Sequence, residues 1–317
     1  MKAAIIDRYG PPEQLHIEQV AKPTINDSQL LVQVVATAVT AADVRIRAAK
    51  FPKGFGAIAR LAFGIRGPRA KILGSTYSGV VVAAGKSVPE FSVGDEVCGM
   101  TGVKMGTYAE FVTVNNVKSI AKKPANVSHT HAAGMLFGGT AALYFLRDKL
   151  NIKQGETILI NGASGAVGTN AVQLAKLFGA TITGVTTQGN AALVKELGAT
   201  EIIDYTKQDI AAIGKKFDVL LDTEGNISPE AAKPLLTRNG RAGLMVASLG
   251  EMIRMRGPVK SGTATEKRED IEYLLSLMKD GKLKAVIDSE YTIDHIVEAH
   301  RHVDSGRKVG SCIVTLR

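Results

Sequence analysis

The sequence predicts an α/β protein in which a doubly wound parallel sheet is joined to a second, β-rich domain. Three observations carry this expectation. An apolar strand runs into the turn Gly162-Ala163-Ser164-Gly165-Ala166-Val167-Gly168 and then into a helical pattern. β and α segments alternate from about residue 123 to 284, whereas the chain before them reads as strands and turns. A chain of 317 residues is also too long for one ordinary core. The predicted organisation is a β-rich domain from residues 1–122 and 285–317, interrupted by a Rossmann-type domain over 123–284.

The elements follow in order. Val32, Val34 and Ala36 alternate with Gln33, Val35 and Thr37 in a β-rich run, and Gly79 to Gly85 is a β-branched segment bracketed by glycines. Phe91 to Val97 reads as a turn entering a strand. Between them, Ile58 to Phe63 has the spacing of a short amphipathic helix. After Lys123-Pro124 the character changes, with helical spacing from His131 to Leu146. Glu156 to Asn161 is a strand, and Val167 to Phe178 a helix stopped by Gly179. Thr181 to Thr186 is the next strand, and its following helix ends at Leu197 before Gly198. Ile202 to Tyr205, Val219 to Asp222 and Gly243 to Val246 supply further strands. Thr265 to Lys279 is amphipathic, with Ile271, Leu274, Leu275 and Met278 on one side. Lys308 to Leu316 is a last strand.

The glycine turn is the sharpest motif. Glycine lets the backbone approach a pyrophosphate, and the helix N-terminus offers free N–H groups and a positive dipole end. Dinucleotide binding is therefore expected at Gly162 through Gly168. An NAD site places Asp or Glu at the end of the second strand, about 20 residues on. Here Thr186, Thr187, Gln188, Gly189 and Asn190 stand there, with no acid before Glu196. A 2′-phosphate is not repelled, so NADPH is expected, with NADH the alternative. No Arg or Lys reinforces the choice.

Composition narrows the remaining classes. Cys98 and Cys312 are the two cysteines, which excludes a disulfide framework and a four-cysteine zinc site. No apolar run approaches the roughly 18 residues of a membrane span. The N-terminus meets Asp7 and Arg8 before a signal region could form, so a cytoplasmic location is expected. The net charge of +9 equals the nine cations between Val44 and Pro89, a stretch with no Asp or Glu. A phosphorylated cofactor, an anionic membrane or a nucleic acid would answer such a field, and so would plain solvation. Nucleic acid is disfavoured because aromatics do not interleave with these cations as a stacking platform.

These residues together resemble the medium-chain dehydrogenase/reductase superfamily, in its zinc-independent quinone oxidoreductase (zeta-crystallin-like) branch. The likeness runs through Thr40 to Arg47, Leu73 to Val81, Val93 to Val97, Gly106 to Glu110, Gly138 to Ala142, the glycine turn, Leu197-Gly198-Ala199 and Gly281 to Lys284. It implies a GroES-like domain built from both chain ends, a central Rossmann domain, a quinone or enone substrate and a homodimer. It also implies roles for single positions: Thr140 beside the nicotinamide, Tyr205 near the adenosine phosphate, and Val246, Ala247 and Ser248 as contacts to the carboxamide. Zinc-dependent relatives carry a catalytic cysteine near Ala41 and a Gly-His-Glu motif, where this chain has Gly74-Ser75-Thr76. Those side chains do not replace Cys, His or carboxylate ligands. His129 with His131, and His300 with His302, read as solvated helix-end residues rather than ligands. Glu224 stands where an apolar residue is commoner.

Without a metal, hydride transfer favours acceptors that are already electron-poor, so quinones, enones and unsaturated aldehydes are the expected substrates. A hydroxyl stabilising the developing oxyanion is then the catalytic device to expect, with Thr40 and Tyr77, and also Tyr108, as candidates. The cationic segment from Phe51 to Lys71 reads as a substrate lid, and peripheral contact with an anionic membrane is its second reading. The competing class is a membrane-associated or RNA-binding NADPH-binding protein with little catalysis.

Overall fold

β-Branched and glycine-bracketed runs become strands, because a pleated, half-buried surface suits Val, Ile and Thr. The computed structural model describes residues 1–115 and 117–316. In chain order its strands are β1 (Lys2–Ile6), β2 (Leu15–Gln19), β3 (Leu30–Val39), β4 (Thr76–Ala84), β5 (Glu96–Met100), β6 (Phe111–Val114) and β7 (Ile120–Lys122). Then come β8 (Thr157–Asn161), β9 (Thr181–Thr186), β10 (Glu201–Asp204), β11 (Phe217–Asp222), β12 (Leu236–Leu244) and β13 (Val259–Ser261). The chain closes with β14 (Ile287–Thr292) and β15 (Ser311–Thr315).

The chain divides into two units: Met1–Phe51 with Gly56–Phe137 and Glu266–Arg317, and Pro52–Phe55 with Gly138–Thr265. The first is the β-rich, GroES-like unit. Its main sheet has the order β14-β15-β3-β4-β5-β7, with β6 also paired to β3. The two chain ends meet where β15 runs antiparallel to β3, Cys312 opposite Val39. Its core includes Leu30, Val32, Val81, Val97, Tyr108 and Ile120.

The second unit is an all-parallel sheet of order β10-β9-β8-β11-β12-β13. Strands leave β8 in both directions, so the topological switch lies at β8 and β11. A ligand of such a sheet binds beyond the carboxyl ends of the strands at that switch. The glycine turn follows β8 directly. This is the α/β, doubly wound architecture that the sequence predicts.

The unit boundaries fall elsewhere than at 122/123 and 284/285. The helix Arg268–Lys279 turns Ile271, Leu274 and Leu275 inward, and it packs beside β7 of the first unit. At its start, Arg268 Nε donates to the Val117 carbonyl at 3.0 Å. The first half of the helix His129–Leu143 also belongs to the first unit. Ala133 clusters there with Ala36, Ala38 and Ile313, and Ser311 Oγ donates to the Gly134 carbonyl at 2.7 Å. An amphipathic pattern announces a buried face but not which sheet covers it. The same helix passes into a π-helical turn at Tyr144–Lys149.

Candidate functional site

The turn is built by backbone constraints. Gly162 has φ +78, a left-handed conformation that glycine adopts without strain. The Gly165 backbone N–H donates to the Gly162 carbonyl at 3.1 Å and closes the turn. Gly165 is then the N-cap of the helix Ala166–Leu177, with no side chain capping it. Gly168 lies so close to the turn that a Cβ would fall on the Gly162 carbonyl and 2.7 Å from Ala163 Cα. The helix N-terminus is thereby held against the end of β8, with no side chain at Gly162, Gly165 or Gly168 and the Thr223 and Glu224 side chains alongside. Such a cradle fits a dinucleotide pyrophosphate.

Hydroxyl and amide groups surround it. Thr186 Oγ1 hydrogen-bonds Ser164 Oγ at 2.9 Å, and Asn190 Nδ2 donates to the same oxygen at 3.2 Å. Three residues predicted separately are thus one cluster. Thr187 precedes the short 3-10 turn Gln188–Asn190. On the far side of β8, Asn161 Nδ2 donates to Asp222 Oδ1 at 2.7 Å and to Asn226 Oδ1 at 2.6 Å. Buried Asp222 also accepts the backbone N–H groups of Glu224, Gly225 and Ile227. This network fixes the loop beyond β11. Its sequence signal is a polar residue ending each of two buried apolar strands.

The remaining predicted positions distribute around that frame. Val246 packs against Gly225, where a Cβ would be 2.6 Å from Val246 Cβ. Ala247 is buried. Ser248 forms a capping box with Glu251, its Oγ donating to Glu251 Oε2 at 2.6 Å, and so starts the helix Leu249–Arg254. Thr140 is buried two residues beyond Gly138, where the helix backbone presses on the Ala166 carbonyl. Exposed Tyr205 lines a cavity of about 270 Å³ together with Asp209, Ile210, Asn226, Ile227 and Leu235.

Glu224 lies against the turn itself: a Cβ on Gly162 would stand 2.8 Å from Glu224 Cγ. An exposed carboxylate there would oppose a pyrophosphate held in the cradle, across partly aqueous surroundings. Glu224→Gln is expected to tighten NADPH binding about fivefold. Fluorescence titration at low salt reads this, and equal or weaker binding would remove the carboxylate from the cofactor's surroundings.

The β-rich unit holds a second group of polar side chains. Thr40 and Asp43 form a capping box at the start of the helix Ala41–Ala48. Thr40 Oγ1 donates to Asp43 Oδ2 at 2.6 Å, and Thr40 N–H to the same oxygen at 2.8 Å. Burial pushes the Asp43 carboxyl up to about 6, against the opposing effect of these hydrogen bonds. Behind it lie Tyr108, His300 and Arg47. The Tyr108 and His300 rings meet edge to face at 5.6 Å. Arg47 Nη1 donates to the Gly10 carbonyl at 2.6 Å, and Nη2 pairs with Asp304.

Two sequence expectations change here. His300 is fully buried rather than solvated, and burial holds its imidazole down at about 3. Two other histidines expected to be solvated are also engaged: His302 pairs with Asp288, and His129 bonds Ser78 and Glu96. Tyr77 lies wholly within the core with its hydroxyl pressed against Gly99. It is therefore a packing residue, not a hydroxyl offered to a substrate. The strand alternation that places Tyr77 inward is the signal that contradicts the catalytic reading. Both cysteines are buried and free. Among the described residues no cluster of three or more His, Cys, Asp or Glu side chains could hold a metal ion.

The alcohol dehydrogenase GroES-like domain family matches residues 26–125, and the zinc-binding dehydrogenase family matches residues 197–314. Over 99% of the chain, the sequence is 31% identical to 2-methylene-furan-3-one reductase of Solanum lycopersicum, 79% of which is covered. The chain belongs to the medium-chain dehydrogenase/reductase family. This medium-chain oxidoreductase is also 32% identical to the chloroplastic quinone-oxidoreductase QR1 of Triphysaria versicolor, over 75% of its own length and 77% of that protein's. The quinone oxidoreductase from Coxiella burnetii matches its structure with a TM-score of 0.91 and 27% identity, covering 100% of this chain and 99% of that one. Its cofactor is a nicotinamide dinucleotide.

Proposed function

We propose that this medium-chain oxidoreductase reduces a quinone, an enone or another activated carbonyl with NADPH, NADH serving less well, and without zinc. The observation that carries the reading is the rim of the cradle. Where an NADH site presents a carboxylate to the ribose, Thr186 and Asn190 converge on Ser164, leaving a 2′-phosphate unopposed. The reductase and quinone oxidoreductase relatives support the substrate class.

The dinucleotide supplies the hydride, and the chain must supply a proton to the reduced oxygen. Thr40 is the hydroxyl for that task, with Asp43 as its reservoir. When Asp43 is protonated it donates to Thr40 Oγ1, which frees the threonine hydrogen to bond the substrate oxygen. As the oxygen gains its electron pair it takes the Thr40 proton, Thr40 takes that of Asp43, and solvent restores the acid.

Titration with NADPH and NADH, followed by their oxidation with 1,4-benzoquinone and an enone, tests the reading. NADPH is expected to bind several-fold tighter, and turnover to fall between pH 6 and pH 8 as Asp43 ionises. Equal preference for NADH would remove the 2′-phosphate argument, and a flat pH profile would remove the Asp43 reservoir. The protein is proposed to be a cytoplasmic homodimer; light scattering at twice 33.5 kDa tests the assembly. No helix among the described residues is long and apolar enough to cross a membrane.

A further inference from the structure

The helix Gly56–Phe63 is apolar in sequence, yet Ala59 is its one fully buried residue and Phe63 is half-buried. Phe63 stacks on Phe51 with ring centroids 5.9 Å apart, which ties the helix end to its unit. Most of the helix faces outward: Ile58 is 54% exposed and Leu61 64%, three residues apart on one face. The turn that follows presents Ile65, 63% exposed. That turn is firmly held, since Tyr9 Oη donates to the Gly64 carbonyl at 2.7 Å and Arg60 Nη1 to the Ile65 carbonyl at 3.0 Å. Val103, 75% exposed, lies beside Phe63 and Arg69 around a small cavity. Exposed large apolar side chains gathered on one rigid element mark an interaction surface.

We propose that this helix and the turn after it dock the protein on an anionic phospholipid surface. The charge around the apolar tips selects the occupant. Lys50, Arg60, Arg66 and Arg69 are exposed around them, in a stretch of sequence with no carboxylate between Asp43 and Glu90. Lys71 is paired with Asp7 at 3.5 Å. A second copy of the chain docked here would set this positive face against another, so pairing through this face is opposed by like charge. A bilayer with anionic headgroups answers both features at once: cations remain at the headgroups while Ile58, Leu61 and Ile65 enter the acyl boundary. The helix would lie in the plane of the surface. This attachment is independent of the reductase reading, but it would bring that activity to where lipophilic quinones dissolve.

Co-sedimentation tests the proposal, using the full chain with phosphatidylglycerol/phosphatidylcholine vesicles and with phosphatidylcholine alone. Binding is expected to the anionic vesicles at low salt, and to be released at high salt. The double variant Ile58→Asp/Leu61→Asp is expected to lose about a hundredfold in partitioning. Its melting temperature and NADPH titration, which read the fold and the cradle, should match those of the parent. Equal sedimentation with both vesicle types, or full binding by the double variant, would overturn the proposal. So would a dimer that dissociates in the variant without any lipid binding, or retention of RNA in place of vesicles.

Discussion

Gly168→Ala is expected to abolish measurable NADPH binding and to lower the melting temperature by several degrees. A Cβ there would meet backbone atoms, the Gly162 carbonyl oxygen and both Ala163 Cα and its carbonyl carbon, the last two at 2.7 Å. Backbone cannot rotate aside, so the helix Ala166–Leu177 would have to withdraw from β8. Overpacking of this kind costs about 1–3 kcal/mol, and more where backbone must move. Withdrawal also misplaces the N–H groups that hold the pyrophosphate. Gly165→Ala separates the two effects. Its φ of −73 suits any residue, and the nearest atom to a Cβ is the Gly162 carbonyl at 3.5 Å. That variant should melt like the parent yet bind NADPH at least tenfold more weakly, because its methyl group stands where the phosphates approach. Differential scanning calorimetry beside fluorescence titration reads both variants. A Gly168→Ala protein that binds NADPH normally would show that the cradle is not the phosphate site.

Much of the Rossmann unit is legible in the sequence because its signals are local. Thr181 to Thr186 is a strand from end to end, and Gly179 and Gly198 stop the helices before them, as the sequence predicts. The cluster of Ser164, Thr186 and Asn190 is also within reach, since the ends of adjacent parallel strands must converge. Less is legible where partners are distant. Helices at Ala41–Ala48 and Leu249–Arg254 go unread, and Ile296–Asp304 is anticipated only as a helix end at His300 and His302. The first two open on a hydroxyl residue whose N3 acid completes a capping box, a signal that is present in the sequence. Strand β13 is three residues long and carries too little pattern to register. Arg268–Lys279 is legible as a helix, but its sheet lies in the other unit, and hydrophobic spacing contains no address. His300 shows the same limit. A histidine between charged neighbours reads as solvated, and only the tertiary fold reveals that position 300 faces the core.

Asp43→Asn and His300→Gln are expected to tilt the pH dependence of stability in opposite directions. Between about pH 4 and 6 the folded Asp43 keeps a proton that the unfolded chain has lost, because burial raises it from 3.8 to about 6. Its contribution therefore weakens as pH rises, by about 1.4 kcal/mol per unit. His300 does the reverse. Burial, and then the charge of Arg47, lower it from 6.5 to about 3, so from about pH 3 to 6.5 the unfolded chain holds the extra proton. Its contribution strengthens as pH rises, at the same rate. Over the shared window the two slopes cancel, which lets the unit bury an acid and an imidazole in one polar cluster with little pH dependence from the pair. Removing the acid leaves the histidine slope: relative to the parent, Asp43→Asn should lose about 2 kcal/mol between pH 6 and pH 4. His300→Gln should gain a similar amount over the same range. The amide oxygen that Asp43→Asn introduces still accepts the Thr40 bonds, so the capping box survives in the first variant. Urea titrations at pH 4, 5 and 6 measure variant minus parent, which cancels carboxylates common to both. Asp43 Oδ1, Arg47 Nε, the Tyr108 hydroxyl and both His300 nitrogens are buried without a hydrogen-bond partner among the described residues. Enough internal water around them would return both groups toward their ordinary values. A pH-independent difference for either variant would therefore mean that the cluster is hydrated and the Asp43 acid is no stronger a reservoir than any surface carboxylate.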